Sequence, residues 1–395
     1  MPTDPSVPRA PRPWKNRTVL AFGLASLFSD AGHETATAIL PFFLVSLGGS
    51  AAALGLVEGV ADALSTAAKL TAGWFSDGLT RRKPLGIVGY VATGIGMGAF
   101  ALAKSPAHVL AIRSASWVGR GMRGPVRDAM LTDAVNEEAR GPAFGFHRAM
   151  DTIGAVLGPL LALLLLARCG YRAIFALTLV PGLLSVLAFA SAPEAPHPRV
   201  RRAFGATLRE LPRSYRRFLV AVGIFGLGDF ARGLLVLRAA QMLPAQGIPP
   251  TTVGVALYVV HNLVHACSAY GIGVLGVRVG ALRVLAGGYF LFALMAVGFL
   301  LAPATLPIWL LALLFSLAGL ATATEEVLEP TVAAAMLPEP VRGTGFGALA
   351  AVNGVGDLVA SVVVGWLWTA VFPAAGFLWA AVLGVAGGVA VTRVQ

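Results

Sequence analysis

The chain has 395 residues, of which 57% are apolar and only 12% charged. Ordinary soluble domains carry about 25% charged residues, so an assembly of soluble domains is excluded and the length is better counted in membrane spans of roughly 20 residues. The formal net charge of +11 would suit nucleic acid, but its placement along the chain follows membrane topology, which excludes a nucleic-acid partner and leaves an affinity for anionic lipid.

In chain order, residues 1–17 are rich in Pro and Arg and are expected to stay as a cytoplasmic tail, because the apolar run after them is too long for a signal-peptide core. Twelve spans follow, near 18–46, 52–76, 84–103, 107–127, 143–167, 171–191, 218–243, 251–276, 281–302, 306–328, 344–370 and 374–392. The fourth and tenth are expected to end where charges and Pro125 or Pro330 interrupt them. Residues 18–191 then make one six-helix bundle, 192–217 a basic cytoplasmic linker, 218–392 a second bundle and 393–395 a short cytoplasmic tail. With both termini inside, nineteen Lys and Arg residues fall on cytoplasmic segments and only Lys104, Arg168 and Arg172 on the opposite side. That is the positive-inside asymmetry of a multi-pass protein of the inner (plasma) membrane. Cys169 and Cys267 lie in different halves and imply no disulfide framework.

The halves repeat one another. Leu54-Gly55-Leu56 recurs as Val253-Gly254-Val255, Gly89-Tyr90 as Gly288-Tyr289, and Asp30 as Asp229, all at a separation of 199. Arg140-Gly141 with Phe144-Gly145 recurs as Arg342-Gly343 with Phe346-Gly347 at 202. The constant order and offset point to two six-helix halves related by an axis along the membrane normal.

Between the second and third spans stands Gly73-Trp74-Phe75-Ser76-Asp77-Gly78-Leu79-Thr80-Arg81-Arg82-Lys83. A hydrophobic helix reaches the membrane surface, a carboxylate caps its exit, and three cations hold the next turn in the cytoplasm. The string resembles the signature loop after helix 2 of the major facilitator superfamily. In the second half the corresponding loop, Gly276 to Arg283, has lost the carboxylate. Gly154-Ala155-Val156-Leu157-Gly158-Pro159 resembles the helix 5 element of that superfamily's antiporter branches; physically it offers close helix approach and a kink at Pro159. Arg113 is similar to the helix 4 arginine of drug exporters, although Trp117 stands where those have Gly. The resemblance implies an all-α membrane protein that works as a monomer by alternating access, with helices 1, 4, 7 and 10 lining a central cavity. It also implies a gating part for Gly73, Asp77, Arg81, Arg82 and Lys83, with Asp77 latching the halves through helix N-termini and arginines.

Ionisable side chains inside spans are expensive and face a cavity or a partner. Asp30, His33 and Glu34 share one face of the first span; Glu58, Asp62, Ser65 and Lys69 form a stripe on the second. Arg113, Arg120, Arg123 and Arg127 lie on the fourth, His147 and Asp151 on the fifth, Asp229 and Arg232 on the seventh. His261 and His265 lie on the eighth, Glu325, Glu326 and Glu329 on the tenth, Asn353 and Asp357 on the eleventh. The mid-span residues Asp30, His33, Glu34, Asp62, Arg113, Arg120, Asp229, Glu325 and Glu326 are the candidates for a substrate or proton pathway. Glu58 is expected to be solvated near the outer boundary, and Arg123, Arg127 and Asp128 to be structural at the inner one. Asp229 and Arg232 either neutralise each other or serve the site. Arg120, opposite Glu325 in the repeat, makes either a salt bridge between the halves or an anion site.

These features suggest proton-linked efflux of a small organic compound. A divalent metal or metal chelate is the alternative substrate, suggested by Asp30, His33 and Glu34 with His261 and His265. A membrane-embedded enzyme is a third reading, but no nucleophile–base pair and no complete metal or cofactor motif is present. The topology is checked by reporter fusions after Lys83 and within 192–217. Both should give a cytoplasmic signal, and a signal from the other side at either place overturns the twelve-span count.

Overall fold

The computed structural model describes residues 15–77, 79–135, 137–194, 211–243, 249–337 and 342–394. Among them the chain forms fourteen α-helices: α1 (Arg17–Ser46), α2 (Ala51–Asp77), α3 (Lys83–Ala99), α4 (Pro106–Asp133), α5 (Glu137–Leu166), α6 (Tyr171–Leu177), α7 (Leu179–Ser191), α8 (Arg213–Gly226), α9 (Arg232–Met242), α10 (Pro250–Val279), α11 (Ala281–Leu301), α12 (Ile308–Met336), α13 (Arg342–Ala370) and α14 (Pro373–Thr392). Among the described residues there is no strand. Water is absent from the middle of a bilayer, so every backbone polar group must be met within the protein, and helices do that within one segment.

Nine helical segments among the described residues are long and apolar enough to cross a membrane. Outside that set stand α1, α4 and the α8–α9 pair, which carry Asp30 and Glu34, the arginine ladder, and Asp229 with Arg232.

Two expected spans are broken rather than continuous. The segment 171–191 divides at Thr178, whose hydroxyl donates to the Phe175 carbonyl at 2.6 Å. Pro181, three residues on, has no N–H to offer the Leu177 carbonyl. The segment 218–243 divides between Gly226 and Arg232. There the indole N–H of Trp379 donates to the Leu227 carbonyl at 2.7 Å, and the Ala231 N–H donates to Ser361 Oγ at 3.0 Å. Side chains of α13 and α14 thus take up the backbone groups that the break frees. Conversely, α4 runs through Pro125 to Asp133 and α12 through Pro330 to Met336, beyond the ends expected from the sequence. Of the expected linker, Arg213–Arg217 already belongs to α8, and 195–210 lies outside the described residues.

The packing repeats as the sequence does. In the first half α2 lies on α4, and α4 on α3; in the second α10 lies on α12, and α12 on α11. Across the halves α2 packs on α13 and α5 on α10, two contacts that exchange when the halves are exchanged. Small residues make the α2–α13 contact close: a Cβ at Gly59 would stand 2.9 Å from the Leu358 carbonyl oxygen, and one at Gly365 2.6 Å from that of Ala51.

The most extensive contact within a half joins α1 to α5. A Cβ at Gly158 would lie 2.8 Å from both the Ala31 carbonyl oxygen and the Thr35 nitrogen. At the same place the Thr35 hydroxyl donates to the Gly158 carbonyl at 2.9 Å. α5 runs on as helix through Pro159. A side chain at Gly158 must therefore push two backbones apart, at a cost of about 1–3 kcal/mol. Gly158→Val should lower the unfolding temperature of the purified protein in detergent, whereas Gly145→Ala, where a Cβ meets nothing within 4 Å, should leave or raise it. Equal behaviour of the two variants would refute the close α1–α5 contact.

Candidate functional site

The first network is built on α1 and α4. Asp30 is buried and receives Arg123 Nη2 at 3.1 Å, with Arg120 Nη1 at 3.9 Å. Arg123 also donates to Ser29, one residue away on α1, and its guanidinium lies 4.7 Å from the centre of the Tyr90 ring. Below Asp30, the Ser26 hydroxyl donates to Asp151 Oδ1 at 2.6 Å, and Arg148 Nη1 donates to Asp151 Oδ2 at 3.1 Å. Two arginines on one carboxylate leave that cluster with cation to spare.

A second network lies deeper. Arg113, 1% exposed, donates through Nη2 to Glu58 Oε2 at 2.7 Å and through Nη1 to Thr37 Oγ1 at 3.2 Å. Its guanidinium lies 3.3 Å from the centre of the Trp117 ring. Trp117 donates to Asp62 at 2.8 Å, and His33 packs on the same indole with ring centres 4.7 Å apart. Glu58, expected to be solvated, is 6% exposed. A carboxylate at that depth is held because a fully buried guanidinium on α4 answers it.

The second half contributes mostly acid. Glu329 accepts from Tyr289 Oη at 2.5 Å and from Asn353 Nδ2 at 2.7 Å. Glu326 meets Arg232 at 3.4 Å and His265 Nε2 at 3.2 Å. The carboxyl of Asp229, in the break before α9, is within hydrogen-bonding reach of Glu325. Arg232 is thus committed to Glu326 and not to Asp229. His261 bonds its neighbour Asn262 at 3.0 Å. Among the described residues no group of three or more His, Cys, Asp or Glu is placed to hold a metal ion.

Between the halves lies a cavity of about 650 Å³. It reaches from mid-helix toward the ends that carry the α2–α3 loop: its walls include Thr66 and Lys69 near the end of α2, and Phe346 to Asp357 near the start of α13. At the far end the halves are closed. The Ala52 N–H donates to Thr369 Oγ1 at 3.0 Å, and Gly233 and Gly254 lie against Pro41 and Phe42. Two hydrogen bonds cross at mid-depth, from Tyr258 Oη to Glu34 Oε2 at 2.7 Å and from Asn262 Nδ2 to the Ala155 carbonyl at 3.0 Å. Access is one-sided.

The sequence profile described as Major Facilitator Superfamily matches residues 22–237, more than half of the chain. The chain belongs to the major facilitator superfamily. As a member it is a secondary transporter and not an enzyme. Among its relatives, an uncharacterised MFS-type transporter of Methanocaldococcus jannaschii is 28% identical over 357 residues, 89% of each chain. An uncharacterised protein of Mycobacterium tuberculosis is 27% identical over 370 residues, 89% of this chain and 87% of the other. The same fold is seen in the nucleoside transporter NupG, with a TM-score of 0.78 at 14% identity, covering 95% of this chain and 99% of that one. It is also seen in a POT family transporter in complex with a thioalcohol-conjugated peptide, with a TM-score of 0.79 at 11% identity, covering 94% and 95%.

In this major facilitator fold, five of the nine residues nominated from the sequence line the cavity: Asp30, Glu34, Arg120, Glu325 and Glu326. His33, Asp62 and Arg113 stand behind the wall in the Trp117 network, and Asp229 stands behind Glu325. The salt bridge between the halves from Arg120 to Glu325 is not formed; Arg120 turns to Asp30 in its own half. Arg123, expected to be structural at the boundary, is the nearest partner of Asp30. Tyr258, Asn262 and Arg148 were not nominated. The first two had a signal, since with His261 and His265 they share one face of α10 at helical spacing.

In the α2–α3 loop, Arg82 is buried and donates to Asp133 at the end of α4 at 3.0 Å. Glu194 accepts from the Arg82 and Lys83 backbone N–H groups at 2.5 and 2.8 Å, and Lys83 Nζ donates to the Ala192 carbonyl at 2.7 Å. These cations tie the loop to its own half. Arg81 is exposed, and Gly73 lies beside Pro125 of α4. Asp77 ends α2, and its side chain lies outside the described residues.

Because Arg113 and Glu58 are buried together, removing one strands the other. Arg113→Met should cost about 3–5 kcal/mol of stability, read as a lower unfolding temperature in detergent. Arg113→Met with Glu58→Leu should recover most of it. A double variant as unstable as the single one would show that the pair is not what holds α2 to α4.

Proposed function

We propose that this transporter exports a small organic compound across the inner membrane in exchange for protons, with both termini in the cytoplasm and a single chain as the working unit. On that orientation the cavity is open to the cytoplasm, and rocking of the two halves about it gives alternating access. The observation that carries the proton reading is the acidic wall of the second half. Glu325, Glu326, Glu329 and Asp357 line the cavity there against one arginine, Arg232. Carboxylates crowded in a low-dielectric wall repel one another strongly, and a proton or a cationic ligand group relieves that repulsion. Competition of the two for the same carboxyls is the physical basis of exchange. The small-residue contact of Gly154 and Gly158 with α1 supports the same reading, since it matches the helix 5 element of antiporter branches. A charge crossing the membrane gains about 2.3 kcal/mol per 100 mV, enough for several-tenfold accumulation.

The test uses proteoliposomes and a solute chosen by thermal-shift screening of the purified protein with organic cations, anions and zwitterions. Wild-type flux should follow an imposed pH gradient and lose that response with protonophore. Glu325→Gln should weaken solute exchange and remove what remains of its dependence on the gradient. Wild-type flux indifferent to both gradient and protonophore would rule out proton exchange.

A further inference from the structure

Setting aside the ionisable groups that are bonded inside the protein leaves unbonded groups of opposite sign on the two walls of the cavity. On the first-half wall, Asp151 is met by Arg148 and Ser26, and Glu34 by Tyr258. Asp30 is met by Arg123, so Arg120 at 3.9 Å is a second cation on a carboxylate already paired. Arg120 Nη1 has no hydrogen-bond partner, although the atom is buried. Its side chain is 30% exposed, and it lines the cavity. Lys69, also on that wall, makes no hydrogen bond or ion pair among the described residues. Lys69 and Arg120 are therefore the cations of that wall left without a hydrogen bond to a carboxylate among the described residues.

On the second-half wall, Arg232 and His265 both serve Glu326, while Glu329 is held by Tyr289 and Asn353. Glu325 and Asp357 line the cavity with no cation bonded to them among the described residues. What is left over in the second half is acidic. The cavity volume of about 650 Å³ falls in the range of small-molecule sites, about 300–1,000 Å³.

We infer that the substrate is a zwitterion, with its anionic end seated on Lys69 and Arg120 of the first half and its cationic end on Glu325 and Asp357 of the second. A fork-shaped guanidinium with a free donor suits a carboxylate or a phosphate, and a carboxylate pair suits an ammonium. One solute that bridges the walls answers both sets at once, whereas a simple anion or cation leaves one set unmet, which is a desolvation penalty. Bridging also joins the halves, so the occupied cavity differs mechanically from the empty one. The inference rests on the exchanger reading above and names the class of compound exchanged.

The test is binding to the purified protein in detergent, followed by thermal shift and titration, with no gradient present. The probes are ω-amino carboxylates from glycine to aminooctanoate, each with its N-acetyl and methyl ester derivatives. The wild type should bind one length best, and each derivative of that length should bind at least tenfold more weakly. Lys69→Gln should abolish discrimination against the ester but keep it against the N-acetyl form; Asp357→Asn should do the reverse. Lys69 is used because it has no internal partner to strand; Arg120→Gln is the second variant for the anionic end. A derivative that binds as tightly as its parent, or no binding by any length, overturns the zwitterion. Because no proton gradient enters, these outcomes are independent of the flux test. Zwitterion binding with gradient-independent flux would defeat only the proton exchange.

Discussion

Every feature of this molecule depends on one constraint: an ionised side chain inside a membrane protein must find its counter-charge within the protein or in a cavity. The segments that stand outside the apolar spans, α1 and α4 by their polar residues and the α8–α9 pair by its break, meet it in different ways. α1 and α4 answer each other, with Asp30 against Arg123 and Thr37 against Arg113. Arg113 reaches past α1 to Glu58 of α2. These bonds set the register of three helices at once, because a helix that slid by one turn would part several of them together. Such pairs are weak evidence of net stability, since desolvation consumes much of the Coulombic gain. What they supply is a single arrangement.

The contacts between halves are of another kind. Within a half, guanidinium and carboxylate groups meet at about 3 Å, as at Arg123–Asp30 and Arg82–Asp133. Across the halves the described contacts are small residues in van der Waals contact along α2 and α13, with a few hydrogen bonds such as Tyr258 to Glu34. Dispersion contacts of small residues form and part without stranding a charge. The bonds of the α2–α3 loop to α4 and to the end of α7 likewise stiffen one half and leave the other free of it. The proposed rocking needs this division: strong, specific bonds inside each half and shallow ones between them.

Much of this was legible in the residues. The all-helical membrane class follows from composition, and the repeat at 199 foretells the matched packing of α2 on α13 and α5 on α10. What stayed hidden depends on partners far away in sequence. The break at Leu227 needs Trp379 and Ser361, more than 130 residues distant, to take its free backbone groups. Helical spacing put Glu58, Asp62 and Lys69 on one stripe of α2, but spacing says nothing of what lies opposite. Arg113 and Trp117 cover the first two, and the cavity takes the third. Arg123 was discounted because proximity to a boundary makes snorkelling cheap; the Ser29–Asp30 pair on α1 makes an inward bond better still.

On the zwitterion proposal the two walls of the cavity differ in function as well as in the ionisable groups they leave unbonded. Asp30 keeps Arg123 whatever happens at Arg120, so an anion that takes Arg120 leaves no carboxylate stranded. On the zwitterion proposal, Lys69 and Arg120, the second arginine of Asp30, are the seat in the first half. The second half has no such reserve. Arg232 is committed to Glu326, and Glu325 with Asp229 forms a carboxyl pair that no arginine bonds. Two carboxyls in contact hold together best when they share a proton, and an ammonium that arrives at Glu325 must displace it or sit beside a new negative charge. On the proposed exchange, then, the carboxyls for which proton and ammonium compete belong to α12 and its surroundings, while Asp30, bonded to Arg123, is part of the frame of the first half.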